Sequence, residues 1–503
     1  MTIGFNTIPA NLVAPIAAFE VNSGGQYEAS SRLVLLGHKT SAGSIAAATP
    51  TRVITTQEAG ALTGAGSMLY NMFVSARRNA PVQDIWVVAV AETGTAQTKT
   101  ITVGTVPAAG GYGLIDVDGE RLGVTVVAGD SANTVATNIA AAINAFYDAL
   151  TGGMLGVTAA AATNVVTVTA RNTGALSAEM DIYIPTEVPN LFTTSWLTVA
   201  SGVAGSGVPT LTSALAALGD DPADMIVNPW ADATSLDAAK TALSDVGGRW
   251  DPTRMSWGHG FGVVTGNTGT FTTLGLARDN RHESIAGRVS TTPQPSWVWA
   301  AGMAAQTYLW LQDITLGNVS RNQTGRVVQG LKSPRDRSLW PNYATRDALN
   351  RSGISTWSVN AGGEVVIDKF VTTRRTDAFG QPDTTFRDIQ AMFQVSGGLS
   401  YIKAQWYSHH GQKAISDANP RGLLAITTTK DQEATLIAAY TELCARGVFE
   451  NKEYFAANVR VERNAQNPAR CDAFLPIDRT NPLDIFAANA TFYAQAPALA
   501  NAA

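Results

Sequence analysis

Residues 349–374 read LNRSGISTWSVNAGGEVVIDKFVTTR. The run 355–359 is short and rich in Ser, Thr, Trp and Val, which suits a strand. Asn360-Ala361-Gly362-Gly363 follows, and its glycines tolerate the positive φ that a tight turn needs. Residues 364–373 form the return strand, with Val365, Ile367 and Val371 on one face. Taken alone, this is an ordinary β-hairpin with a buried side. Its neighbours in the sequence make it more telling than that.

The chain has 503 residues, enough for more than one hydrophobic core and for about three domains. Hydrophobic residues make up 45% and charged residues only 15%. So thin a charge density suits a surface that other subunits cover. The net charge is −5, which disfavours a general nucleic-acid binder. Cys444 and Cys471 form neither a disulfide framework nor a zinc pattern, and fit folding in a reducing cytoplasm. No Lys or Arg precedes Arg32, so the basic start of a signal peptide is missing, and no apolar run is long enough to span a membrane.

The chain changes grammar along its length. Residues 2–22 are apolar, but Pro9 and Pro15 rule out a continuous helix; Ile3 and Phe5 alternate as in a strand, and Ile8, Leu12 and Phe19 continue the apolar series. From residue 31, strands (32–37, 84–90) alternate with a helix (67–78), as in a layered, mostly parallel sheet. Residues 93–200 break this pattern. They are rich in Thr, Ala, Val and Gly, with a hairpin turning at Asp118-Gly119 and a helix over 131–150. We read them as a mostly β insert with its own core, without which the rest should fold. The glycine run 201–208 leads back to α/β grammar, with strands at 225–227 and 260–265 and a helix over 232–246. Residues 297–311, WVWAAGMAAQTYLWL, are apolar nearly all round and read as a helix buried between domains. Further helices are expected over 384–396 and, after a capping box at Thr429-x-x-Gln432, through Leu436, Tyr440 and Leu443 up to Gly447. Strands are expected at 458–463, 470–475 and 483–490, where Leu483 and Ile485 share a face and Phe486 adds bulk.

The order GIST, GGEVVIDKFVTT, FGQPDTTFRDI around the opening hairpin resembles the C-terminal domain of contractile phage tail sheath proteins, above all the Mu-like group. Lys369 stands where Arg is usual in that family, and Arg374 where Tyr is usual. The phrases IPANLVAP, ALTGAGSML, GVFEN, VRVERN, NPARCD and NPLDI extend the resemblance to both ends. It is weakest over the insert, and the family's D-P-A-x-R-P motif is absent at 318–323. The resemblance implies an α/β and α+β multidomain protein. A layered, subtilisin-like α/β domain would occupy 26–92 and 201–340, with a mostly-β outer domain inserted at 93–200. An α+β C-terminal domain facing a tail tube would occupy 341–490, between an extended N-terminal arm (1–25) and a C-terminal tail (491–503). It implies a homo-oligomer of hexameric rings stacked helically around the tube, with baseplate and tail terminator proteins as further partners. Such a subunit is assembled in the host cytoplasm, resides in the virion tail, and neither binds nucleic acid nor inserts into membrane. Contraction would drive the tube through the host envelope. The arms (Ile3, Phe5, Ile8, Leu12, Phe19; Leu483, Ile485, Phe486) would exchange strands between subunits. The basic residues Lys332, Arg335, Arg337, Arg374 and Arg375 are candidates to face the tube, though a solvated face explains them equally well. A phage-derived bacteriocin or other contractile injection device would share these features.

A subtilisin-like domain also invites a hydrolase reading, but the residues give it little. Subtilisin-type enzymes need Asp, His and Ser in that chain order, and no Asp precedes Ser67. No G-x-S-x-G elbow occurs. The histidines 38, 259, 282, 409 and 410 form no zinc motif, and Asp116-x-Asp118-Gly119 lacks the downstream ligands of a calcium loop. The glycines 202, 205 and 207 lack the lysine of a phosphate-binding loop. No catalytic residue, cofactor or metal is therefore expected.

Overall fold

The computed structural model describes residues 31–106 and 108–492, which fold as a mixed α/β protein with eleven α-helices and several sheets. The largest sheet has six strands in the order Glu283–Val289, His259–Gly266, Met225–Val227, Arg32–Gly37, Asp84–Ala89, Thr51–Val53. All neighbours are parallel except the last pair. Alternation along the strands explains why both faces are covered. Phe261, Val263 and Ala286 join the main core, while Val264 and Ile285 point to a smaller cluster with Leu236, Phe271, Leu349 and Ile354.

The helix Ser296–Leu311 is the centre of the main core. Trp299, Ala300, Ala301, Met303, Ala304, Ala305 and Tyr308 are all fully buried in it. Its small residues let the neighbouring helix Met68–Asn79 come close. At Gly302 even a methyl group would lie 2.8 Å from Ser75 Oγ, and that hydroxyl donates to the Val298 carbonyl at 2.9 Å.

The hairpin pairs Thr356–Val359 with Glu364–Lys369, and Val327–Lys332 adds a third antiparallel strand. Gly363 adopts φ 82°, and Asn360 Oδ1 accepts from the amides of Gly362 and Glu364. The flanks of the hairpin are sewn to the edge strand of the large sheet. Ser355 N donates to Ile285 O at 2.8 Å, the Trp357 indole to Gly287 O at 2.6 Å, and Thr373 N to Glu283 O at 3.1 Å. Glu283 is buried and takes a two-pronged pair from Arg278 at 2.8 and 3.0 Å.

Between Val90 and Val203 lie two antiparallel sheets. One has the order Leu197–Ser201, Thr98–Val103, Val165–Ala170, Val157–Ala162; the other is Glu120–Val126, Gly111–Val117, Ile182–Tyr183. With helix Ala132–Ala145 they enclose a hydrophobic cluster drawn only from this segment, including Ile101, Val117, Val135, Ile139, Val166 and Leu197. The hairpin turn uses Asp118 at φ 49° and Gly119 at φ 84°.

Several elements differ from the sequence expectation. The helix expected to reach residue 150 ends at Ala145, because Asp148 and Gly152–Gly153 close a tight loop of their own. The helix expected over 384–396 instead runs Ile389–His410. The capping box is built one residue earlier, with Thr428 and Asp431 exchanging hydrogen bonds. Helix Thr268–Ala277 and strand Glu283–Val289 were not anticipated at all. Residues 483–490 pair with no strand among the described residues. Trp299→Ala should cost about 3–5 kcal/mol, as for other buried Trp truncations, and lower the thermal midpoint measured by circular dichroism.

Candidate assembly surface

The five basic residues singled out in the sequence occupy two places. Lys332, at the end of its strand, donates to the Gly119 carbonyl and pairs with Glu120 at 3.1 Å. Arg335 pairs with Asp181 at 2.7 Å, and its guanidinium lies 4.1 Å from the Tyr183 ring centre. Both therefore grip the insert. Arg337 is exposed and lies over Trp340. Arg374 and Arg375 sit beside the end of helix Thr268–Ala277. Arg375 donates to the carbonyls of Leu276 and Arg278 at 2.9 and 3.0 Å, and Arg374 approaches Asp279 at 4.0 Å. A cation there satisfies carbonyls that the helix end leaves open. Four of the five thus have partners within their own chain.

The C-terminal segment is different. Asn322 holds the Leu483 carbonyl at 2.7 Å, and Lys369 pairs with both Asp388 and Asp484. Beyond this anchor the side chains leave the body: Leu483, Ile485 and Phe486 are 75%, 78% and 86% exposed, and Phe492 is 94% exposed. Four large apolar residues uncovered on one segment outside any helix or strand are unfavourable in water. Nearby, Arg460–Arg463 and Cys471–Phe474 form a sheet of only two strands, with unpaired outer edges. The N-terminal positions Ile3, Phe5, Ile8, Leu12 and Phe19 lie outside the described residues.

The residues that a hydrolase would need do packing work. Ser67 is fully buried, and its Oγ caps helix Met68–Asn79 by accepting from Tyr70 N at 3.1 Å. His259 Nε2 meets Ser284 Oγ at 2.9 Å, but both are buried, and Phe393 lies against the imidazole. Burial pushes the His259 pKa down to about 3, helped by His282. His282 falls to about 4, chiefly through burial, with Asp245 opposing the shift.

Residues 204–373, which include the second half of the six-stranded sheet and the hairpin, match the family described as phage tail sheath protein central domain. The chain is thus similar to the phage tail sheath proteins, a family of structural proteins. Within it, this chain is similar to the Mu-like prophage FluMu tail sheath protein of Haemophilus influenzae: 28% identical over 506 residues, covering 97% of this chain and 99% of that one. Similar solved structures are the sheath tail proteins of Desulfitobacterium hafniense (12% identity, 93% of this chain and 97% of that one, TM-score 0.48) and of Listeria innocua (14%, 90% and 92%, TM-score 0.45).

The buried histidines give a pH prediction. Their folded pKa lies below the ordinary 6.5, so the unfolded chain takes up protons first. Their contribution to stability is present above pH 6.5 and is lost as pH falls toward 4 and 3. For His259 alone the loss reaches about 2 kcal/mol by pH 5. The stability gap between wild type and His259→Gln, measured by urea unfolding, should therefore narrow from pH 7 to pH 5. A gap constant with pH would contradict a neutral, buried His259.

Proposed function

We propose that this chain is the repeating subunit of a contractile tail sheath. Subunits stack as hexameric rings around the tail tube, and contraction drives the tube through the host envelope during genome delivery. The match of the central domain to the sheath family, together with similarity over the whole chain to a Mu-like tail sheath protein, carries this reading. Residues 26–92 and 201–340 make the α/β body, 93–200 the outer domain, and 341–490 the tube-facing domain. Baseplate and terminator proteins bound the polymer at its two ends.

The exposed C-terminal segment supports a linkage by exchanged strands. Leu483, Ile485 and Phe486 would be covered, and their backbone paired, by a neighbour's sheet edge. Residues 2–22, with Ile3 and Phe5 in alternation, make the complementary arm at the other end. Each exchanged hydrogen bond contributes only about 0.5–1.5 kcal/mol net. A few at every subunit suffice to keep a polymer connected while its rigid domains slide. The energy of contraction is then stored at assembly, in a packing that relaxes to a more stable one. Arg337, exposed beside Trp340, together with Arg374 at its half-buried site, remains the cation set proposed to meet the tube.

Deleting residues 2–22 should leave a soluble subunit with native circular dichroism that no longer forms long sheaths in the electron microscope. Normal polymers without the segment would remove strand exchange from the mechanism. Loss of the fold would place the segment in the subunit's own core.

A further inference from the structure

The two helices at the centre of the main core, Met68–Asn79 and Ser296–Leu311, both start against the insert. A helix start exposes amides with no partner inside the helix. At Met68 the amide donates to Asn172 Oδ1 of the insert at 2.7 Å, while Asn172 Nδ2 reaches back to Lys39 O at 3.1 Å. At Ser296 the preceding residue is Pro295, which offers no side-chain cap. The Ser296 amide instead donates to Glu179 Oε2 of the insert at 2.6 Å. The other Glu179 oxygen accepts from Thr265 Oγ1 of the central sheet at 2.6 Å.

Glu179 also answers a buried charge. Arg288, on the edge strand, is 1% exposed and donates to the carbonyls of Thr292 and Gln294 at 2.7 and 2.6 Å. Glu179, from the insert, lies 3.6 Å from its guanidinium. The body thus supplies a buried cation, and the insert supplies a carboxylate facing it. Separating the two would leave that charge without its counterion and the Met68 and Ser296 amides without their acceptors, which is costly. The pairs Lys332–Glu120 and Arg335–Asp181 extend the same seam toward the hairpin sheet.

We propose that the insert is a clamp on the α/β body: Asn172 and Glu179 hold the starts of its two central helices, so that insert and body form one rigid unit. The insert has a hydrophobic core of its own, yet the body is incomplete without it. Replacement of 93–200 by a short linker therefore damages the body's core, contrary to the expectation from sequence. The clamp is intramolecular and holds whether or not the chain polymerises.

The test is hydrogen exchange read by mass spectrometry on the soluble full-length chain. Asn172→Ala should speed exchange in the first turn of Met68–Asn79 about tenfold or more, and Glu179→Ala should do the same at the start of Ser296–Leu311. Glu187→Ala, which removes an exposed insert carboxylate paired only with Arg121 and its own loop, should change neither helix. Should Glu179→Ala fail to fold, Glu179→Gln decides, because it removes the charge and turns one of the two acceptor oxygens into a donor; faster exchange at 296–311 is again expected. Wild-type exchange at both helix starts in the Asn172 and Glu179 variants would overturn the clamp.

Discussion

The contact between the hairpin and the edge of the large sheet holds the described chain together. The Trp357 indole donates to the Gly287 carbonyl and packs edge-on against Trp299, with ring centres 5.1 Å apart. On the same seam Phe370 meets Phe261, and Thr373 reaches the buried Glu283. Gly287 matters here because a side chain at that position would run into Phe271, 2.6 Å away. The hairpin and the helix Ser296–Leu311 thereby share one hydrophobic core with the parallel sheet. Movement within this unit would have to break buried aromatic packing.

That arrangement sorts the surface by role. In the body, cations are consumed internally: Arg249 serves four backbone carbonyls, and Arg278 and Arg288 face carboxylates. Toward the C-terminus, apolar side chains stand uncovered on a segment outside any helix or strand, tethered through Lys369 and Asn322. A chain that engages these buried cations internally, yet leaves Ile485 and Phe486 in water, is best understood as one piece of a larger assembly.

The hairpin was legible because its turn chemistry is local: Asn360 and Gly363 specify it within four residues. The helix Ser296–Leu311 was legible from its unbroken apolar run. Strand Glu283–Val289 was hidden because Glu283, Gly287 and Arg288 look unlike a buried strand until Arg278 and the insert acids are seen beside them. The length of helix Ile389–His410 was obscured by Gly397-Gly398, where Ile314 and Phe449 pack against the backbone. The partners of Lys332 and Arg335 lie more than 150 residues away in sequence, so the sequence shows a basic cluster but not the carboxylates that two of its members meet. Short-range signals gave the elements, and charges compensated across domains did not announce themselves.

Electron microscopy of the purified full-length chain, across a range of concentration and salt, tests the sheath reading most directly. Hollow tubes of stacked sixfold rings are predicted, with residues 483–492 of each subunit lying against a neighbour. Discrete single subunits under all conditions, with that segment folded back on its own chain, would contradict it.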